Sequence, residues 1–216
     1  MAIEQMNTFF TARVEGYDDH MLNEVNGCKA GYKKMSELIP ESAVSLLDLG
    51  CGTGLELDEI FKIKPTIKVT GIDLTKAMLD KLKQKHPDKN LTLINDSYFD
   101  WEFGTNNYDV AISFQTMHHF SHSDKIKLYT KIYKSLKTNG KYIECDYMVL
   151  EQKDEDFYYA KNERLRKEQN IPDGEFYHYD TPCTIENQIN MLLKSSFTKV
   201  QMVWRSENTT IVIAEK

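Results

Sequence analysis

Residues 46–56 read LLDLGCGTGLE, an apolar run with one acid near its end that breaks into three glycines spaced two apart. No other stretch of this chain restricts the fold as much. Glycines at a strand-to-helix turn reach backbone conformations that a side chain forbids, and they let a ligand approach the main chain closely. The helix that follows presents unpaired N–H groups and a partial positive charge at its start. The pattern predicts the first strand–turn–helix unit of an open α/β sheet, with a ligand seated above the turn. A second apolar segment, VTGIDL at 69–74, also ends in an acid, Asp73. Together the two segments describe a pocket for an adenosine-containing cofactor. A dinucleotide site wants G-x-G-x-x-G, and both registers fail. Counted from Gly50 the third glycine falls on Leu55, and counted from Gly52 it falls on Leu57. Asp48, two residues before Gly50, suits a cationic ammonium or its bound water better than a diphosphate, because like charges repel strongly in a low-dielectric pocket.

DLGCGTG (48–54) resembles the first motif of the class I S-adenosylmethionine (SAM)-dependent methyltransferases. Asp73 stands where that family's ribose-binding acid ends its second strand. INDSYFD (94–100) resembles the segment whose acid contacts the adenine amino group, here Asp96 with Ser97 alongside. YDVAISFQTMHHF (108–120) resembles the fourth strand, whose C-terminal end borders the substrate. The resemblance covers residues 40–150 and extends to the closing hairpin. It implies SAM as cofactor, S-adenosylhomocysteine (SAH) as product, and methyl transfer by in-line displacement to a small-molecule acceptor. The cofactor contacts it implies are Asp48, Gly50, Cys51, Gly52, Gly54, Asp73, Leu74, Asp96, Ser97 and Gln115. The implied fold is α/β: a Rossmann-like, seven-stranded, mostly parallel sheet with helices on both faces, the last hairpin inserting one antiparallel strand.

Composition narrows the class further. A chain of 216 residues, 41% hydrophobic and 28% charged, has the make-up of one globular domain with decorations. No segment approaches the roughly 20 apolar residues of a membrane span, and MAIEQMNTFF carries no basic-then-apolar leader. Cys28, Cys51, Cys145 and Cys183 show no C-x-x-C spacing and read as reduced cytoplasmic thiols. A formal charge of −6 offers no general footprint for nucleic acid. Monomer and homodimer both stay open.

Along the chain, Met21, Val25, Cys28, Tyr32, Met35 and Ile39 recur at helical spacing, which predicts a helix from Asp19 to Pro40, capped by Asp18 or Asp19. Residues 1–40 form an N-terminal helical extension and cover, and 41–150 the cofactor-binding core of alternating strands and helices. In that core Thr75 caps the helix of Met78, Leu79 and Leu82, while Asn139-Gly140 stops the helix of Ile126 to Leu136. Residues 151–180, with nine acids, five basic residues and six aromatics, break the rhythm. They are expected to place a helix (154–169) and a loop over the acceptor site, after the fifth strand. Residues 181–216 complete the same domain with a helix starting at Thr181-Pro182 and a β-hairpin around 206–208.

Methyl transfer from a sulfonium needs orientation and exclusion of water more than it needs acid or base, and a base enters only when the acceptor carries a proton at neutral pH. Asp73 could cap the next helix, but Thr75 is better placed for that, and a carboxylate can accept both ribose hydroxyls. Asp96 could simply form an Asx turn, and Asp48 could bind the amides of the turn. Leu74 suits the adenine face. His118 and His119, at the end of the fourth strand, are candidates for a substrate-side base, or else a helix-start histidine bonded to backbone. No metal is expected, since adjacent side chains rarely point to one place and a metal site gathers three or four ligands. Tyr17 and His20 on one side, and Tyr177, His178, Tyr179 and Asp180 on the other, fall where the resembled family covers its acceptor. Tyr17 and His178 are the candidate catalytic groups there, unless these aromatics only fasten the cover. Three other readings remain. An RNA or protein methyltransferase is disfavoured because SFQT stands where an N/D-P-P-Y segment would be. A non-catalytic SAM-binding module and a nicotinamide-dependent oxidoreductase are the others, the last disfavoured by the glycine spacing.

Overall fold

The computed structural model describes residues 2–216. Alternating strand and helix signals fold into one sheet: β1 (Ser45–Leu49), β2 (Lys68–Asp73), β3 (Leu91–Asn95), β4 (Tyr108–Phe114), β5 (Leu136–Val149), β6 (Cys183–Thr184), β7 (Lys199–Ser206) and β8 (Thr209–Glu215). The order across it is β3-β2-β1-β4-β5-β8-β7, with the two-residue β6 pairing to β5 beside that path. Strands β1 to β5 run parallel, and β8 inserts antiparallel between β5 and β7. Central strands are covered on both sides and so read as continuous apolar runs. In β1, Leu46 packs into one core and Leu47 and Leu49 into the other.

Helices α2 (Cys28–Leu38), α3 (Leu55–Ile63) and α4 (Lys76–Lys85) cover the first face, while α5 (His122–Ser135) and α7 (Ile185–Lys194) cover the second. Each fully buried Leu or Ile in these layers contributes about 1.5–3 kcal/mol relative to exposure. The sheet therefore holds the β1 turn and the ends of β2, β3 and β4 on a rigid edge, where ligands of open α/β sheets sit.

Four local expectations are corrected. The N-terminal extension is two helices, α1 (Met6–Asn23) and α2, separated by a break through Asn26 and Gly27. Asp18 and Asp19 lie inside α1 rather than capping it, and Asp18 accepts a hydrogen bond from Thr53 Oγ1 at 2.5 Å. The side chain of Thr75 makes no cap bond; Asp73 Oδ1 instead takes the Thr75 N–H at 2.7 Å. Asn139-Gly140 does not stop a helix. The chain turns extended already at Leu136, and Asn139, with φ 63°, lies in β5 where the pairing to β4 shifts register. The last helix starts after Thr184, whose Oγ1 accepts the Asn187 N–H at 3.1 Å, because 183–184 is drawn into the sheet first. Helix α6 (Gln152–Glu168) occupies the insertion, and the hairpin β7–β8 turns at Ser206 to Thr209 as its sequence predicts.

Candidate active site

The glycine turn stands where the chain leaves β1. The N–H groups of Gly50 and Cys51 both reach the carbonyl of Ile72, at 2.8 and 3.2 Å, which ties the turn to the end of β2. Gly52 has φ 45°, and a Cβ there would point toward Tyr17, 3.9 Å away, across a cleft. Gly54 serves packing: with φ 76°, its missing Cβ leaves room for Leu82 of α4, which would otherwise sit 2.3 Å away. Cys51 is buried with its sulfur against Gly71, so its thiol faces the core.

Asp73 closes the turn from the other side. Its Oδ2 accepts the Gly52 N–H at 2.9 Å and its Oδ1 the Thr75 N–H at 2.7 Å. Above it opens a cleft lined by Gly50, Gly52, Asp73, Leu74, Met78, Asp96, Ser97, Tyr98, Gln115 and Thr116, among others. Asp96 Oδ1 accepts the N–H of its neighbour Ser97 at 2.8 Å, and both residues line the cleft. Gln115, with φ 51°, bridges toward Thr209 through Nε2 at 3.3 Å.

Asp48 does not line the cleft. It is wholly buried beneath the turn beside Glu56, and neither of its carboxyl oxygens finds a hydrogen-bond partner. Burial and then the Glu56 carboxyl hold Asp48 well above the usual carboxylate range, and burial pushes Glu56 up to about 7. Such a pair keeps a proton between its members.

A second, larger cleft adjoins the first, and Phe10, Tyr17 and Gln115 line both. Its far wall carries His118, His119, Tyr147, His178 and Asp180. After β4 the chain enters a single 3-10 turn, Met117–His119, which sets the His118 and His119 rings side by side, centroids 4.1 Å apart. The adjacent histidines thus share one wall, against the expectation that neighbours diverge. His118 Nδ1 meets Asp146 Oδ1 of β5 at 2.5 Å, and both groups are buried. Burial opposes charge on this ring, but Asp146 and then Asp180 outweigh it and raise His118 to about 10. Burial, then the charge on His118, holds His119 below its ordinary value. His178 stacks on Phe9 at 3.6 Å between ring centroids.

The cover over both clefts is laced from distant segments. Met6 N–H binds Phe176 O at 3.0 Å, His178 N–H binds Glu4 O at 2.9 Å, and Gln5 pairs with Tyr177. Thr181 then donates both its N–H and its hydroxyl to the carbonyl of His118, at 2.6 and 2.8 Å. Asp146, Glu56, Phe9 and Phe10 escaped the sequence reading. The one available signal was an acid inside the apolar strand KYIECDYMV.

Fold and site together have the features of a class I methyltransferase fold: a G-x-G-x-G turn after the first strand, an acid ending the second, and an antiparallel hairpin completing the sheet. A family model described as a methyltransferase domain matches residues 46–140. A carboxy-S-adenosyl-L-methionine synthase of Nautilia profundicola is 27% identical over 185 residues, covering 79% of this chain and 76% of that protein. The phosphoethanolamine N-methyltransferase of Plasmodium falciparum is 26% identical over 168 residues, covering 76% of this chain and 62% of that protein. Among solved structures, human N-acetylserotonin methyltransferase in complex with SAM superposes with a TM-score of 0.66 at 16% identity, over 96% of this chain and 55% of that one. An O-methyltransferase family protein from Burkholderia thailandensis gives 0.73 at 14% identity, over 98% and 63%. The chain thus spans little more than half the length of those two structures. Over residues 46–140 and in its fold the chain is similar to methyltransferases, one of which holds SAM as its cofactor in its solved structure. The glycine at 52, where a Cβ would project into the cleft, and the carboxylate of Asp73 at its rim fit that cofactor. Among the described residues no helix is long and apolar enough to cross a membrane.

Proposed function

We propose that this enzyme methylates a small molecule held in the second cleft. The observation that carries this reading is the meeting of the two clefts at Phe10, Tyr17 and Gln115. A donor lying along the first cleft would present its methyl group there to an acceptor in the second. SAM supplies a methyl group already activated on a sulfonium. The chain then has to orient both partners and keep water out. Asp73 accepts the two ribose hydroxyls, Asp96 and Ser97 receive the adenine edge, and Leu74 and Met78 pack on its face. The turn at Gly50 and Gly52 admits the amino-acid end against bare backbone, over the buried carboxyls of Asp48 and Glu56. Cys51 and Gly54 support the turn through their backbone and packing. Tyr17 and Phe10 close the junction, and His118, His119 and His178 form the acceptor wall.

Calorimetry with SAM and SAH, followed by product mass spectrometry across a panel of small alcohols, phenols, amines and thiols, tests the proposal. Micromolar cofactor binding with a methylated small molecule is the expected result. A folded chain that binds neither SAM nor SAH would sink it. The likeness to a carboxy-SAM synthase supports a second reading, in which the cofactor itself is the molecule altered. A carboxylated cofactor in the same mass spectra would favour that reading.

A further inference from the structure

Three imidazoles in the wall of the second cleft converge on one carboxylate oxygen. His118 Nε2, His119 Nδ1 and His178 Nε2 lie 3.5, 3.7 and 4.0 Å from Asp180 Oδ1. Ligand atoms of His118, His119 and Asp180 all fall within 4.8 Å of one another. A direct charge-assisted N–H···O bond is about 2.7–2.9 Å long, so none of these contacts is one. Two ligands that share a tetrahedral metal at about 2.0–2.1 Å are roughly 3.3 Å apart, close to the two shorter contacts. His178 Nε2 stands outside that cluster and completes the set once its ring moves toward it. The remaining nitrogen of His118 is already fixed by Asp146 Oδ1 at 2.5 Å, the carboxylate–histidine pairing that aims a metal-binding ring.

We propose that His118, His119, His178 and Asp180 form a site for a divalent first-row transition metal, with Asp146 as the positioning carboxylate. Three imidazoles and one carboxylate suit zinc, iron, cobalt or nickel rather than magnesium or calcium. The sequence argument against a metal assumed that adjacent side chains diverge, and the 3-10 turn through Met117–His119 removes that assumption.

The chain holds one competing cluster, His122, Glu155 and Cys183. There Lys125 Nζ stands 3.1 Å from Cys183 Sγ, an ammonium where a metal would be. Glu155 is also engaged by Thr184 N–H at 2.5 Å, Asn187 Nδ2 at 3.0 Å and His122 Nε2 at 2.8 Å. That cluster already holds an ammonium; among the described residues the cleft cluster holds none, and a metal there would replace the contact of His119 Nδ1 with the Tyr179 carbonyl at 3.3 Å.

All four proposed ligands line the acceptor cleft, so a further coordination position faces the acceptor. The role that follows rests on the methyl-transfer reading, whereas metal binding does not. The acceptor would carry a metal-binding hydroxyl, as in a phenol or a hydroxy acid. Coordination acidifies that hydroxyl, and its proton leaves to water. The new O–CH3 bond then forms as the sulfonium S–CH3 bond breaks, giving a methyl ether and neutral SAH.

The test is titration of the chelator-stripped full chain with Zn2+ by calorimetry and with Co2+ by visible absorption, with circular dichroism to report folding and SAH binding measured on every sample. One equivalent of metal should bind. Asp180→Ala and His119→Ala should abolish uptake, Asp146→Asn should weaken it about 10- to 100-fold, and Cys183→Ser should leave it unchanged. No saturable uptake by a chain that binds SAH would overturn the site. Uptake lost with Cys183→Ser but not with Asp180→Ala would assign the metal to the other cluster and overturn it equally. Metal uptake without SAH binding would support the site and reject the methyl-transfer reading instead.

Discussion

Replacing Glu56 by glutamine should stabilise the fold at neutral and alkaline pH and leave it unchanged in mild acid. Glu56 is 5% exposed at the start of α3, Asp48 is fully buried against it, and no N–H or hydroxyl donates to Asp48 Oδ1, Asp48 Oδ2 or Glu56 Oε1. Burial, only partly opposed by the Asp48 hydrogen bond and by Lys85, raises Glu56 from 4.5 to about 7. Between those two values the folded chain binds more protons than the unfolded one, so stability falls as pH rises. Below the lower value both states are protonated and no penalty exists. Above the upper value the whole penalty applies, roughly 3 kcal/mol at about 1.4 kcal/mol per pH unit. Glutamine keeps the shape without the charge. It gives up the favourable interaction of a first-turn acid with the helix dipole, about 0.3–1 kcal/mol. The net gain should therefore grow from near zero at about pH 5 to about 2 kcal/mol at about pH 8. Urea unfolding followed by circular dichroism at several pH values, with equal slopes for both proteins, measures it directly. A difference that stays flat with pH, or a variant weaker than wild type at the alkaline end, would refute the shared-proton account of this pair.

Asp73→Ala should reduce SAH affinity by about 100-fold or more, since two hydrogen bonds to a charged acceptor contribute roughly 1.5–3 kcal/mol each; unchanged affinity in calorimetry would place the ribose elsewhere. Gly54→Ala should cost about 2–4 kcal/mol, from a left-handed backbone and an overpacked contact with Leu82. Thermal unfolding reads that loss, and adding Leu82→Ala should recover less than it removes, because a cavity replaces the clash. Asp109 accepts from Val44 N–H, Ser45 N–H and Lys137 Nζ at 2.8–3.0 Å. Despite the opposing effect of burial, these partners, Lys137 foremost, lower it to about 2. Its stabilisation is therefore complete above its unfolded value and lost as pH falls through the folded one. Asp109→Asn should flatten that acid limb and cost about 1 kcal/mol at neutral pH after allowance for solvent screening; an unaltered acid transition would count against it.

What was legible in this sequence is what local rules determine. The turn at 50–54 and the acid at 73 belong to one strand–helix–strand unit, whose turn geometry demands the glycines. The apolar strands were legible because both faces of the sheet are covered. Helix α1 was not: its buried residues are only Met6 and Met21. Phe9, Phe10 and Tyr17 face the clefts, the last two packing only partly against the core, so the helical period dissolves where the helix becomes part of a site. The partnership between residues 4–6 and 176–178 rests on a few main-chain bonds across the length of the chain, which impose no side-chain pattern. The histidine wall fails to show for a related reason. A 3-10 turn reverses the usual divergence of neighbours, and the acids that complete the wall, Asp146 and Asp180, arrive from β5 and from the cover. Glu56 marks the limit most clearly. A helix-start rule accounts for an acid in the first turn of α3 by its dipole, and that rule is blind to Asp48, on the preceding strand, which makes the same acid share a proton. Residues read correctly by a local rule can thus carry a different energetic role once a distant or buried partner is present, and the polar members of a site are where this happens, because burial makes every partner count.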